Sequence, residues 1–254
     1  MADCWNGLRK NAVRQGGGFF LLLDPDRTPQ RRLGEIAESA QDAGVDALLV
    51  GSSFTMAPDF EKSVQFIKKH TSIPVLLFPG SHAQITGAAD AVLFLCMLSS
   101  RNPAFLVDEQ VKGAPLIHRL GLEAISTAYL LIESGSLTSA QFVSNSFPLP
   151  RDKHDLVCAH ALAAKYMGMQ AVYLEAGSGA KDPVPPSLIA SVAACSGLAI
   201  ITGGGLRRPE EIHTRIAAGS QFVVVGDQME QSFDLTLLRE LTAAAHPLSK
   251  VAVA

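Results

Sequence analysis

Residues 199–227 read AIITGGGLRRPEEIHTRIAAGSQFVVVGD, and this stretch decides the fold. Two short apolar runs, Ala199–Thr202 and Phe222–Val225, each pass straight into glycine. Continuously apolar runs of this kind suit strands buried on both faces, as in a parallel sheet. Between them Pro209–Ala218 carries a helical pattern. Pro209 stands at the helix start, where its missing N–H costs nothing, and Gly219 stands where a C-cap is expected. Strand, glycine turn, helix, strand, glycine turn is the repeat of a βα protein.

Six more apolar runs of the same kind precede it: Phe19–Leu23, Ala47–Val50, Val75–Phe78, Ala91–Leu95, Ala124–Leu131 and Ala171–Leu174. Helical patterns follow at Arg31–Ala43, Phe60–Lys69, Pro103–Leu120, Arg151–Met167, Pro186–Cys195 and Ser232–Ala245. Gly44 and Gly168 close two of them. Only the third unit is irregular, because Ser81–Ala89 is too short and too glycine-rich for a full helix. Eight βα units predict an α/β fold of the (βα)8 TIM-barrel type, a single domain over residues 1–254, with an irregular third helix. An open doubly wound sheet is the alternative, since a linear sequence does not display closure.

Bulk properties agree. The 254 residues match the usual size of such a barrel, roughly 250. With 48% hydrophobic and 18% charged residues and a formal charge of −3, the chain is globular and offers no basic footprint for nucleic acid. Cys4, Cys96, Cys158 and Cys195 form no CxxC pair or zinc spacing, and read as buried free thiols in a reducing cytosol. His154 and His160, six residues apart on one helix, read as structural. The first eighteen residues lack the apolar segment of a secretory signal. The longest apolar run, Ala91–Leu98, is far short of the roughly 18 residues that span a bilayer. The expectation is a cytoplasmic protein with at most peripheral membrane contact.

In a barrel, chemistry sits just beyond the strand C-termini. After the first strand stand Asp24-Pro25-Asp26-Arg27. Paired carboxylates at a barrel mouth suit a hard cation such as Mg²⁺, although Asp-Pro-Asp is equally turn chemistry. Asp24 ends the strand directly and is the better ligand. After the second strand, Gly51-Ser52-Ser53 offers hydroxyls to a metal or phosphate. After the sixth comes Tyr173-Leu174-Glu175-Ala176-Gly177-Ser178-Gly179-Ala180. Its glycines admit a phosphate to the backbone N–H groups, and Glu175 suits a hydroxyl as general base or orienting group; a solvated glycine turn is the plainer alternative. Gly203-Gly204-Gly205 after the seventh strand and Gly226-Asp227 after the eighth occupy the usual phosphate site of barrel enzymes, with the helix N-terminus near Pro209 adding its dipole. Arg101 and Asn102 after the fourth strand read either as diphosphate ligands or as a surface turn. Gly80-Ser81-His82 is ambiguous. Phe94, Met97, Leu98 and Tyr129 line either core or a greasy channel.

Together the Asp24–Asp26 motif, Gly51-Ser52-Ser53, YLEAGSGA at 173–180, GGGLRRPEE at 203–211, VVVGD at 223–227, Ser99–Pro103 and Ala128–Asn145 resemble the geranylgeranylglyceryl phosphate synthase family over nearly the whole chain. YLEAGSGA is similar to the variant in the branch that forms larger oligomers. The resemblance implies a Mg²⁺-dependent prenyltransferase of ether-lipid biosynthesis. Such an enzyme joins the C3 hydroxyl of sn-glycerol 1-phosphate to a prenyl diphosphate, with geranylgeranyl diphosphate the expected donor, and releases pyrophosphate. It implies Asp24 and Ser53 as metal ligands and Asp24 and Glu175 as catalytic groups. It further implies Tyr173, Leu174, Glu175, Ala176, Gly177, Ser178, Gly179, Gly204, Gly205, Gly226 and Asp227 around glycerol 1-phosphate, and a homo-oligomer, dimer or hexamer. Arg27, Ser52 and Asp227 depart from the family's usual Lys, Gly and Asn. Two other readings fit the same loops: a different phosphate-handling barrel, such as a sugar-phosphate isomerase, or a non-catalytic barrel that binds phosphorylated metabolites. An aldolase would need a Schiff-base lysine at a strand end, and none of the eight strands contains or ends in one.

Overall fold

The computed structural model describes residues 3–56, 59–231 and 233–249, with the side chain of Gln231 left out. Eight parallel strands pair in sequence order and close: β1 (Gly18–Leu23), β2 (Ala47–Val50), β3 (Val75–Leu77), β4 (Ala91–Cys96), β5 (Glu123–Leu131), β6 (Ala171–Glu175), β7 (Ala199–Gly203) and β8 (Phe222–Val225). The open-sheet alternative is thereby excluded. Each strand divides its side chains between two cores, as the two-residue period dictates. Phe20, Leu49, Leu76, Leu93, Ile125, Tyr173, Ile201 and Phe222 fill the barrel interior. Phe19, Leu21, Leu48, Val92, Val172 and Leu174 point outward beneath the helices. Both faces are dry, which is why the strands read as unbroken apolar runs.

The closing seam brings the two ends of the sequence together. β8 pairs with β1 from Gly18↔Phe222 to Leu21↔Val225, so the residues after Val225 emerge beside those after Leu23. That seam builds half of the site described below.

The helices are α1 (Cys4–Gln15), α2 (Gln30–Asp42), α3 (Phe60–Lys69), α4 (Glu109–Leu120), α5 (Ser139–Ser144), α6 (His154–Tyr166), α7 (Pro186–Ser196), α8 (Pro209–Ala217), α9 (Asp227–Gln231) and α10 (Leu235–Ala245). α1 was not foreseen. It buries Trp5, Leu8 and Ala12 against the barrel interior, with Trp5 5.3 Å from Phe222 and Phe222 stacked on Phe20 at 4.5 Å. The backbone amides of Cys4 and Trp5 donate to Glu123 at 2.7 and 3.1 Å, at the N-terminal end of β5. The end of the barrel at the strand N-termini is thus plugged.

Three expected helices differ in extent. The one foreseen from Arg151 begins at His154, since Arg151 is held by Asp182 at 3.4 Å and by the Pro183 carbonyl at 3.3 Å. The one foreseen from Ser232 begins at Leu235, where the Asp234 carboxylate caps the amides of Thr236 and Leu237; Ser232 lies outside the described residues. The one foreseen over Pro103–Leu120 opens with a wide π turn, Ala104–Asp108. The Phe105 carbonyl there accepts from the Met97 amide and from Gln110 Nε2, both at 3.1 Å; a side chain drawn into the ladder widens the turn.

The irregular third unit is present as expected. A three-residue turn, His82–Gln84, replaces a helix between β3 and β4. Of the cysteines, all free, only Cys96 is buried. The other three are partly exposed, so the reading of four buried thiols is corrected. His154 bonds Ser191 at 2.9 Å and His160 the Leu156 carbonyl at 2.7 Å.

Candidate active site

Two connected hollows open at the C-terminal ends of the strands. The first is the more polar of the two, with a volume of about 270 Å³. The second is an apolar cleft whose walls include Phe78, Ile85, Phe94, Met97, Phe105 and Tyr129. Ser52, Ser53, Phe78, Tyr129 and Ala140 border both, so a ligand with a charged head and a greasy tail can lie across them. The cleft opens where the helix of the third unit is missing, between Gly80-Ser81-His82 and Val143. Phe94, Met97 and Tyr129 line it as the sequence suggested, while Leu98 packs outward.

Glu175 lies at the floor of the polar hollow. Tyr173 and Glu175 alternate with Leu174 along β6, so the first two face inward together. The Glu175 carboxylate accepts the Gly177 amide at 2.5 Å and the Tyr173 hydroxyl. Burial pushes its carboxyl up to about 7, against the pull of those two donors, and the negative charge of Asp227 adds to the rise. A carboxyl poised there exchanges protons near neutral pH, as a general base must. The side chains of Leu174 and Ala176 are fully buried in the outer core and neither residue borders the hollow. Gly179 also lies off its wall, while Tyr173, Gly177 and Ser178 are on it.

The opposite wall is the glycine turn after β7. Gly204 has φ +89°, and a Cβ there would lie 2.6 Å from Glu175 Oε1 and from the Gly177 amide nitrogen. Only glycine fits so close an approach. Among the described residues no acceptor pairs with the Gly204 or Gly205 amides, and both border the hollow. They are free to cradle a phosphate. Just ahead of α8, Glu211 accepts the amides of Arg207 and Arg208 at 2.8 and 3.1 Å, so those two are already paired.

The β1–β8 seam supplies the third wall. Asp24 Oδ1 accepts the Asp26 amide at 2.9 Å, which is turn chemistry, yet the side chain also borders the hollow. The turn reading of this motif is met by that bond, and the carboxylate is also placed where a ligand of the hollow could reach it. Asp26 turns toward the second loop and accepts the Met56 amide at 2.7 Å. Burial shifts the Asp24 carboxyl upward, with the Asp26 N–H and Arg27 pulling back. Ser53 is exposed on the same rim. Asp227 turns its carboxylate to the Ser178 hydroxyl and, at 3.7 Å, to Arg27. This carboxylate, which the resemblance places around glycerol 1-phosphate, is engaged by neighbouring loops.

Glu230 on α9 was missed. Its carboxylate accepts the Asp24 amide at 2.7 Å, and burial, with the negative charges of Asp24 and Asp227, raises it to about 7. A carboxylate one turn beyond Gly226-Asp227 was the available signal, but its meaning depends on barrel closure. Arg101 and Asn102 are excluded from both walls. The Arg101 guanidinium donates to the Leu98 and Ser100 carbonyls, and Asn102 bonds the Ser144 carbonyl at 2.9 Å, anchoring α5.

The donor set fits Mg²⁺. This ion takes one or two carboxylates plus substrate phosphates rather than a cage of protein ligands. Asp24 and Ser53 offer one carboxylate and one hydroxyl on a shared wall, and among the described residues no group of three or more His, Cys, Asp or Glu could hold a metal by itself.

Comparison with known proteins agrees with this geometry. The PcrB family profile matches residues 11–245. The chain is 37% identical to the geranylgeranylglyceryl phosphate synthase of Chitinophaga pinensis over 233 residues, 92% of each protein. It is 43% identical to that of Aeropyrum pernix over 234 residues, 89% of this chain and 91% of that protein. Among solved structures, (S)-3-O-geranylgeranylglyceryl phosphate synthase from Thermoplasma acidophilum, in complex with sn-glycerol-1-phosphate, superposes with a TM-score of 0.88 at 30% identity, covering 94% of this chain and 98% of that one. The chain belongs to the PcrB family.

Proposed function

We propose that this protein transfers a prenyl group from a prenyl diphosphate, geranylgeranyl diphosphate first among them, to the C3 hydroxyl of sn-glycerol 1-phosphate in ether-lipid synthesis. The observation that carries the reading is the junction of the two hollows. A buried carboxyl with a raised proton affinity, Glu175, sits on the polar side of a wall whose other side is greasy. The relatives' names and the bound glycerol phosphate of the Thermoplasma enzyme supply the substrate class.

In this reading the amides of Gly204 and Gly205 hold the acceptor's phosphate, and Glu175 takes the hydroxyl proton. The hydroxyl oxygen bonds to C1 of the donor as the C1–O bond to the diphosphate breaks, and that electron pair leaves on pyrophosphate. Asp24, with Ser53, would hold Mg²⁺, which supplies charge neutralisation for the leaving group. The walls supply mostly position, which is where a two-substrate reaction gains most. Phe78 and Tyr129 separate the reacting end from the tail and exclude water. None of the described helices is long and apolar enough to cross a membrane. We place the reaction in the cytoplasm, with the lipid met at a membrane surface, in a homo-oligomer, dimer or hexamer; the oligomer rests on family likeness.

The test is product chemistry. Incubation with both substrates and Mg²⁺ should give a lipid phosphate that survives alkali, as an ether does and an ester does not. An alkali-labile product, or none, sinks the proposal.

A further inference from the structure

Among the described residues, five carboxylates border the polar hollow: Asp24, Asp26, Glu175, Asp227 and Glu230. Two guanidiniums oppose them, Arg27 and Arg207. Both proposed substrates are polyanions, so each cation must count. Arg207 follows the glycine turn after β7, and its Nη2 donates to the Ala180 carbonyl at 3.1 Å. Arg27 follows the turn after β1, with Nε 3.4 Å from Asp24 Oδ2 and Nη1 3.7 Å from Asp227 Oδ1.

The Arg27 contacts are loose. Charge-assisted hydrogen bonds close to about 2.7–2.9 Å, and these two do not. The side chain is half exposed, 54%, and its fork of donors is largely unspent. A guanidinium of that kind matches the paired oxygens of a diphosphate. Asp227, by contrast, is fixed, since its Oδ1 also accepts the Ser178 hydroxyl. The carboxylate therefore stays in place when the guanidinium turns away.

We propose that Arg27 binds the diphosphate of the prenyl donor, and that Asp227 holds it at the rim of the hollow until the donor arrives. The inference deepens the proposed function and rests on it. Arg27 touches the leaving group beside Asp24, where charge develops as the C1–O bond breaks. Asp227 acts through Arg27 and is a positioning residue. The ion pair also gives the Asp227 carboxylate a role away from the acceptor's phosphate.

The probe is inorganic pyrophosphate, titrated calorimetrically into wild type, Arg27→Ala, Arg27→Lys and Asp227→Asn, with Mg²⁺ and again with EDTA. Loss of a charge-assisted contact should weaken pyrophosphate binding about tenfold or more in Arg27→Ala, in both media, while sn-glycerol 1-phosphate binding stays within about twofold. Arg27→Lys should recover part of the affinity, since it keeps the charge without the fork. Asp227→Asn, which frees the guanidinium, should tighten pyrophosphate binding. In turnover, the KM for the prenyl donor should rise in Arg27→Ala more than kcat falls. Unchanged pyrophosphate affinity in Arg27→Ala, or equal weakening of both ligands, overturns the role of Arg27. Unchanged or weaker affinity in Asp227→Asn overturns the holding role. Absence of turnover in wild type with any prenyl donor would instead overturn the proposed function, a distinct outcome.

Discussion

The Glu230 carboxylate accepts the backbone N–H of Asp24 at 2.7 Å across a separation of 206 residues. This bond fixes the turn after the first strand by means of the helix after the last. Removing the acceptor frees the turn that carries the proposed Mg²⁺ ligand. Glu230→Ala is expected to raise the Mg²⁺ concentration for half-maximal activity about tenfold with a smaller change in maximal rate, whereas Glu230→Gln, which keeps a carbonyl acceptor, should stay within a few-fold of wild type. A Mg²⁺ titration of the three proteins decides it.

The carboxyl of Glu175 is raised by burial to about 7 from an ordinary 4.5, so folding favours its protonated form. Its contribution to stability is full below pH 4.5 and is lost as pH rises through 7, a loss of about 3 kcal/mol. Glu230 carries the same sign over the same range. Unfolding curves from pH 4.5 to 8 should show stability falling, and Glu175→Gln should remove part of the fall. Activity should move the other way, rising through pH 7 as the base ionises, and Glu175→Gln should lower kcat by about 10²–10⁴.

Gly204→Ala would drive a methyl to 2.6 Å from the Gly177 amide nitrogen at a backbone φ of +89°. Steady-state kinetics should show the KM for sn-glycerol 1-phosphate raised about tenfold or more. Leu174→Ala provides the contrast. Its side chain is fully buried in the outer core, so it should cost about 2–5 kcal/mol of stability while the KM of the folded protein stays within twofold.

Trp5 is 1% exposed and plugs the end of the barrel away from the hollows. Trp5→Ala should cost about 3–5 kcal/mol and lower the melting temperature by about 6–20 °C in a chain of this size, with both KM values unchanged. Thermal melts read beside kinetics test this division between the two ends of the barrel.

All eight strands were legible because they are largely buried on both faces, and such strands announce themselves as short apolar runs. The short third unit was legible because Ser81–Ala89 lacks the length for a helix. The inward pairing of Tyr173 with Glu175 obeys the two-residue period, and the same period turns the Leu174 side chain to the outer core; the sequence held that signal. Glu230 was hidden because its partner, Asp24, lies at the other end of the chain and only closure joins them. α1 was hidden in a polar segment where Trp5, Leu8 and Ala12 mark one thin stripe. α5 was hidden because its placement depends on tertiary ties, from Asn102 to the Ser144 carbonyl and from Ser146 to Ser100.

The central claim is that one site joins a phosphorylated glycerol to a prenyl chain. Radiolabelled sn-glycerol 1-phosphate, prenyl diphosphates of several lengths, and Mg²⁺ or EDTA test it directly, with label entering the organic phase and pyrophosphate release followed together. The account predicts extractable label and pyrophosphate in a one-to-one ratio, with Mg²⁺ only, and a preference for one donor length. Folded protein that releases no pyrophosphate and extracts no label with any donor would contradict it.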